Sequence, residues 1–348
     1  MSKKYNKAMY VLWPDYEYIN KAIDSGVNTL IIAMYNPRPD MEQKKYFGTY
    51  EENVETLTHY RNAKVKLILM PAWWQPWYPL PKEHCFILGH KFYLKTPCPT
   101  DNYHIDWVTE YPLKLYKEGL CDGLFWDFED YGAHDDPERL KYFDEWNEDK
   151  YRCMCHRCIG FDEREQRDIL YEKIWNKLDD AKVKINGEYN YTDPLMWDAF
   201  PHEQWFVNAH TYKDWSVIKR IWKYTFPNRW FRKTKIENIT CGQWLEQFTS
   251  KESLEHLEKI GKSASVDGYW LYPQMRMSKN CPWILDPDNP WSKTSTKDLK
   301  CTSLIDSNIH GADPDYFLKL KVLNNEIIKY RNGWWFSIKR KLVMWFMR

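Results

Sequence analysis

Lys7-Ala8-Met9-Tyr10-Val11-Leu12-Trp13 and Asn28-Thr29-Leu30-Ile31-Ile32-Ala33-Met34-Tyr35 are apolar runs flanking Asp15-Tyr16-Glu17-Tyr18-Ile19-Asn20-Lys21-Ala22-Ile23-Asp24-Ser25-Gly26. Pro14 ends the first run, and the middle stretch carries helical spacing with Gly26 placed as a C-cap. Such a unit reads as strand, helix, strand. Six further strand signals follow at 64–74, 123–130, 184–191, 205–212, 237–246 and 267–272, spaced by helical segments at 51–63, 106–119, 161–181, 213–224 and 250–262. Continuous apolar strands alternating with helices predict parallel strands buried on both faces. Eight such units predict an α/β fold of the TIM (β/α)8 barrel type. The expected organisation is a barrel over residues 1–300 with long insertions at about 72–105 and 131–160, after the third and fourth strands. A helical extension over 301–348 ends in a tail that mixes bases with large apolar side chains.

The chain has 348 residues, 50 basic and 49 acidic side chains, and a formal net charge of +1. Near-cancelling charge gives no field that would gather nucleic acid, so none is expected as a partner. No run approaches the roughly 18 apolar residues of a spanning helix. The start of the chain reaches Asp15 and Glu17 without the apolar core of a signal peptide, which points to a cytoplasmic protein. The tail, residues 333–348, could instead make a peripheral membrane contact; the competing reading is a helix that flanks the barrel with its apolar face.

Asp122-Gly123-Leu124-Phe125-Trp126-Asp127-Phe128-Glu129-Asp130 carries the chemistry. Side chains alternate along a strand, so Phe125, Asp127 and Glu129 share one face and Leu124, Trp126 and Phe128 the other. With the apolar set toward the helices, Asp127 and Glu129 face the barrel interior near its carboxyl end, about 6 to 7 Å apart along the strand. Close carboxylates do not ionise independently, and the one that keeps its proton can protonate a leaving glycosidic oxygen. Glu129, nearer the mouth, is assigned as general acid/base and Asp127 as its assisting carboxylate. A second carboxylate would come from another strand end, and Glu188 is favoured over Asp198 and Glu246; the equal competing reading of Glu188 is a helix-facing salt bridge. Gln243 and Trp244 end the seventh strand, where one of them faces inward.

This stretch resembles the fourth-strand signature D-G-x-D-x-D-x-E of the family 18, chitinase-like glycoside hydrolases, in which the last Glu is the acid. Phe206-Val207-Asn208-Ala209-His210-Thr211-Tyr212 is similar to that family's sixth strand and makes Tyr212 a substrate contact by resemblance, while Trp270 matches its eighth-strand Trp. Phe125 stands where the signature has its first inner Asp, and Lys213 where an Asp follows the Tyr. More broadly the sequence resembles glycosidase-like barrels with D-x-E on the fourth strand followed by a C-x-C-x-x-C insertion. The resemblance covers roughly residues 8–275 and implies a sugar-processing fold.

The chain holds 20 Trp, 25 Tyr and 15 Phe. Trp13, Trp73, Trp74, Trp77, Trp126, Trp197, Trp244 and Trp270 fall at or beyond predicted strand ends, where an indole can stack on a pyranose. Candidate substrate contacts are Trp13, Tyr35, Trp74, Asp130, His210, Tyr212, Gln243, Trp270 and Tyr272. A carbohydrate is the expected partner, and catalysis by carboxylates requires no cofactor. The alternatives are a carbohydrate-binding barrel without catalysis and a structural barrel docked by its tail.

Nine cysteines are spread through the chain. Cys153-Met154-Cys155-His156-Arg157-Cys158 concentrates three of them. Cys153, Cys155 and Cys158 fit a structural zinc whose fourth ligand would be His156, His134 or a distant cysteine. A disulfide, or reduced thiols pinning the insertion, fits the same spacing.

Overall fold

The computed structural model describes residues 5–11, 16–34, 50–71, 82–88, 91–127, 153–179, 185–188, 205–208, 237–243, 249–264, 266–271 and 313–346. The order is β1 (Asn6–Val11), α1 (Tyr16–Asp24), β2 (Thr29–Met34), α2 (Tyr50–Asn62), β3 (Lys66–Pro71), β4 (Cys85–Leu88), β5 (Lys91–Pro97), α3 (Asn102–Lys117) and β6 (Gly123–Asp127). It continues α4 (Glu163–Asp179), β7 (Ile185–Glu188), β8 (Trp205–Asn208), β9 (Glu237–Gln243), α5 (Ser250–Gly261), β10 (Gly268–Leu271), α6 (Tyr316–Asn332) and α7 (Trp334–Phe346). The fold is α/β. Eight strands pair in the closed order β1-β10-β9-β8-β7-β6-β3-β2, and every pairing in that ring is parallel.

Register sorts the apolar runs into two layers. Met9 pairs with Leu30, Leu30 with Leu67, and Leu69 with Leu124. These residues join Ile19, Leu57, Leu115, Leu257 and Leu320 of the helices in one buried cluster. Their alternates Ala8, Tyr10, Ile31, Ile68 and Trp270 are buried too, on the face that strand alternation assigns to the ring interior. Because both faces are covered there, β1, β2, β3 and β10 read as near-continuous apolar runs.

Local sequence sets the helix ends. Gly26 takes φ +101°, the left-handed region that costs a side-chain-bearing residue roughly 1 kcal/mol or more, and so turns the chain from α1 into β2. α3 starts at Asn102, earlier than the spacing predicts, because Asp101 caps it by accepting from the Tyr103 N–H at 2.8 Å. The N-cap of α5 is Thr249: Thr249 Oγ1 accepts from Glu252 N, and Glu252 Oε2 from Thr249 N, a reciprocal capping box.

Two features differ from expectation. The segment after β3 holds the antiparallel hairpin β4–β5, built from the apolar runs either side of Gly89-His90. α6 follows β10 and packs against both α5 and α1, so the helix assigned to an extension belongs to the layer around the ring. Its buried polar residues stitch it there: Tyr269 OH donates to Asn324 Oδ1 at 3.0 Å, and Asn324 Nδ2 to the Ser25 carbonyl at 2.8 Å. At the end of α6, the Arg331 guanidinium donates to the carbonyls of Gly261, Ser263 and Val266 at 3.1, 3.1 and 2.8 Å. It lies between the rings of Tyr5 and Phe336.

Candidate metal centre and strand-end acids

The hairpin and the cysteine-rich loop meet. Cys98 follows β5 directly, and its Sγ lies 3.6 Å from Cys155 Sγ, 3.3 Å from Cys158 Sγ and 3.9 Å from Cys153 Sγ. All four sulfurs are within 4.8 Å of one another and all four residues are buried. A tetrahedron with metal–sulfur bonds of about 2.3 Å has edges of about 3.8 Å, so four soft donors stand at the spacing a zinc-sized ion requires. Cys98, a distant cysteine, is the fourth donor. His156 is exposed and outside the cluster, and His134 lies outside the described residues. The cysteines are free, which sets aside the disulfide.

The surroundings hold this donor set in place. Ile87 N–H donates to Cys153 Sγ at 3.3 Å, and Met154 N–H to the Ile87 carbonyl at 2.6 Å, so the loop docks along β4. Gln166 of α4 is buried and closes the loop from the other side. Its Oε1 accepts from Cys153 N–H at 2.8 Å, and its Nε2 donates to the carbonyls of Cys153, Cys158 and Phe161. Thr100 Oγ1 lies 3.0 Å from Cys158 Sγ. Asp101, already the cap of α3, also contacts Arg157 at 2.7 Å and His84 Nδ1 at 2.8 Å. Such outer contacts orient first ligands and balance their charge.

The thiols divide into two kinds. Burial pushes Cys85 up to about 11 and Cys121 up to about 12, the state of inert core thiols. Within the cluster, hydrogen bonding from the Cys153 thiol lowers Cys98 to about 7 and draws Cys155 down as well. Cys153 and Cys158 are pushed the other way, upward, by hydrogen bonding to the neighbouring sulfurs and by burial, so a bound cation is what would draw all four into the thiolate form that binds metal.

The candidate acids sit at the carboxyl ends of ring strands. Asp127 is the last residue of β6 and Glu188 the last of β7, and the two are direct register partners. Neighbouring strands run about 4.8 Å apart, so backbone register brings together two acids 61 positions apart in the chain. Both fall on the alternation opposite to Leu124, which belongs to the helix-facing cluster. Gln243 ends β9 and pairs with Leu271 across a register shift. Trp270, expected to floor a sugar site, is 0% exposed with its ring 4.8 Å from that of Tyr10. It is an interior packing residue and presents no surface to a ligand. Glu129, Asp130, Trp13, Tyr35, Trp74, His210, Tyr212 and Tyr272 lie outside the described residues. Tyr35 and Tyr272 immediately follow β2 and β10, and Trp13 follows β1 by two residues.

No family model and no curated sequence matches the chain. Its fold is similar to that of solved glycoside hydrolases. One is the α-L-fucosidase isoenzyme 2 of Paenibacillus thiaminolyticus, at 10% identity and TM-score 0.51, over 95% of this chain and 50% of that one. Another is the cold-adapted β-galactosidase of Rahnella sp. R3, at 9% identity and TM-score 0.55, over 94% of this chain and 57% of that one. The chain therefore spans about half the length of these proteins, and the likeness is one of α/β fold alone.

Proposed function

We propose that the protein is a glycoside hydrolase built on a (β/α)8 barrel, with α6 as the helix of its eighth unit and the segments after β3 and β6 extended over the mouth. The observation that carries this reading is the register pairing of Asp127 with Glu188 at the carboxyl ends of adjacent ring strands, the end at which barrel enzymes assemble their chemistry. Glu129, two residues beyond Asp127, protonates the leaving glycosidic oxygen. Asp127 raises its proton affinity by like-charge repulsion, and Glu188 serves as the second carboxylate. Trp13, Tyr35, Trp74, Asp130, His210, Tyr212, Gln243 and Tyr272 line the carbohydrate path, because each falls at or just beyond the end of a strand or in the extended segment. Catalysis needs no cofactor.

Zinc at Cys98, Cys153, Cys155 and Cys158 has a structural part in this reading. It would clip the hairpin inserted after β3 to the loop inserted after β6 and thereby hold both insertions at the end of the ring where Asp127 lies. Thiols kept in this state fit a reducing, cytoplasmic compartment.

The test is hydrolysis of a panel of nitrophenyl glycosides and neutral oligosaccharides by the full chain and by Glu129→Gln. Removing one general acid lowers turnover by roughly 10²- to 10⁴-fold while saccharide binding by calorimetry persists. Turnover unchanged in Glu129→Gln refutes the assignment. Saccharide binding with no product from the unaltered chain would make it a carbohydrate-binding barrel instead.

A further inference from the structure

α7 has one face committed to the protein. Phe336 is buried against Tyr330, their ring centroids 5.6 Å apart, and Arg340 forms an ion pair with Asp267. Its other face is apolar and exposed: Trp334 is 74%, Trp335 60% and Trp345 67% exposed, with Ile338 and Leu342 between them. At about 100° per residue these five positions fall within an arc of roughly 100°. Lys341 lies about 20° outside one margin of that arc and Lys339 about 40° outside the other, and both are exposed. Lys339 reaches the Lys262 carbonyl at 3.4 Å and still faces solvent. Residues 334–348 contain no Asp or Glu, whereas the chain as a whole is nearly neutral.

We infer that α7 is an interfacial helix that lies in the surface of a membrane bearing anionic headgroups. Three indoles on one arc suit the boundary between headgroup and acyl chain, where an apolar ring is buried while its N–H stays hydrated. Lysines on both margins can lay their stems along the acyl surface and set their ammonium groups among lipid phosphates. The cationic stretch, free of acids, supplies the charge complementarity, and the ion pair of Arg340 with Asp267 keeps the helix joined to the ring. No described helix is long and apolar enough to cross a membrane, so the helix lies along the surface. Docking of this kind would bring the chain to a lipid surface without using any residue of the strand-end site.

The full chain is to be co-sedimented with vesicles of phosphatidylcholine alone and with phosphatidylserine added at about one lipid in three. The chain should pellet with the anionic vesicles and far less with the neutral ones. Trp334→Ser/Trp335→Ser/Trp345→Ser should abolish binding, and Lys339→Gln/Lys341→Gln should weaken it about thirtyfold, at roughly tenfold per 1.4 kcal/mol and 1 kcal/mol per base. All substituted positions are exposed, and an unchanged melting curve verifies that each variant folds. Failure to bind anionic vesicles, equal binding to both lipids, or binding unaffected by the serine variant overturns the proposal. Sedimentation velocity of the chain alone closes the remaining alternative: a concentration-dependent dimer lost in the serine variant would assign this face to a second copy.

Discussion

Cys98→Ser isolates the contribution of the sulfur cluster, because Cys98 is the one donor carried by the hairpin and the other three sit in a single loop. A metal joining Cys98 to Cys153 closes a loop across 55 residues. Treating that clip as a crosslink, the chain-entropy relation gives about 4 kcal/mol of closure entropy removed from the opened state, or about a thousandfold in the opening equilibrium of the two insertions. The hairpin makes no ring pairing of its own, so the effect should be local. Amide exchange measures it directly. Amides of β4–β5 and of residues 153–160 should lose about three decades of protection after chelation or in Cys98→Ser, whereas those of β1 and β2 keep theirs. The unaltered chain should carry one zinc, released on thiol modification. Cys85→Ser should retain it, because Cys85 is a buried thiol outside the cluster. Equal protection of the hairpin with and without metal, or a full zinc complement in Cys98→Ser, would falsify the clip.

Three other perturbations test the packing of the helix layer and its ends. Gly261→Ala would place a Cβ 2.5 Å from Ile327 Cδ1 and 2.6 Å from its Cγ1. Overpacking at about 1 to 3 kcal/mol, less about 1 kcal/mol of helix propensity, leaves a net loss of roughly 1 kcal/mol that Ile327→Val should partly relieve; a double-mutant denaturation cycle with no coupling refutes the contact. Arg331→Ala removes the donor to three carbonyls and the cation between two rings. It should cost about 3 to 5 kcal/mol in urea, and a loss under about 1 kcal/mol would show that water replaces the guanidinium. The hydrogen bond from Lys319 holds the Asp313 carboxyl below its usual range. Its stabilisation is therefore present at neutral pH, above the unfolded value, and is lost as pH falls through the folded one. Asp313→Asn should flatten the acid limb of the stability curve below about pH 4 and change little else; an unaltered acid limb counts against the pair.

The ring strands β1, β2, β3 and β10 were legible because a strand buried on both faces is apolar nearly throughout, whereas β7 (Ile185-Asn186-Gly187-Glu188) and β9 (Glu237–Gln243) carry polar residues and were legible from their spacing along the chain. What escaped depended on pairing. The hairpin hid in a stretch rich in proline and aromatics, although the runs Cys85–Leu88 and Lys91–Pro97 flank a two-residue Gly89-His90 turn signal. Cys98 could be named only as some distant cysteine, since nothing local ties Thr96-Pro97-Cys98-Pro99-Thr100 to a loop 55 residues away. Trp270 misled for a related reason: its place near a strand end suggests the mouth, but it is the third of four residues in β10 and packs on Tyr10 inside the ring.

The same dependence on pairing links the two sites. Asp127 and Glu188 become neighbours only once β6 lies beside β7, and the four sulfurs only once the segments after β3 and β6 are brought together. Since β3 pairs with β6 in the ring, the two insertions spring from adjacent strands, and closing the ring is what sets Cys98 near the Cys153-Met154-Cys155 turn. A metal clip there would add constraint where the fold itself provides least, in loops outside the strand ladder, and would do so next to the strand that ends at Asp127. That arrangement is what a surface has to have if extended loops are to hold a flexible, neutral oligosaccharide against fixed carboxylates, because a loop free to move would give back as ordering entropy much of what each contact contributes.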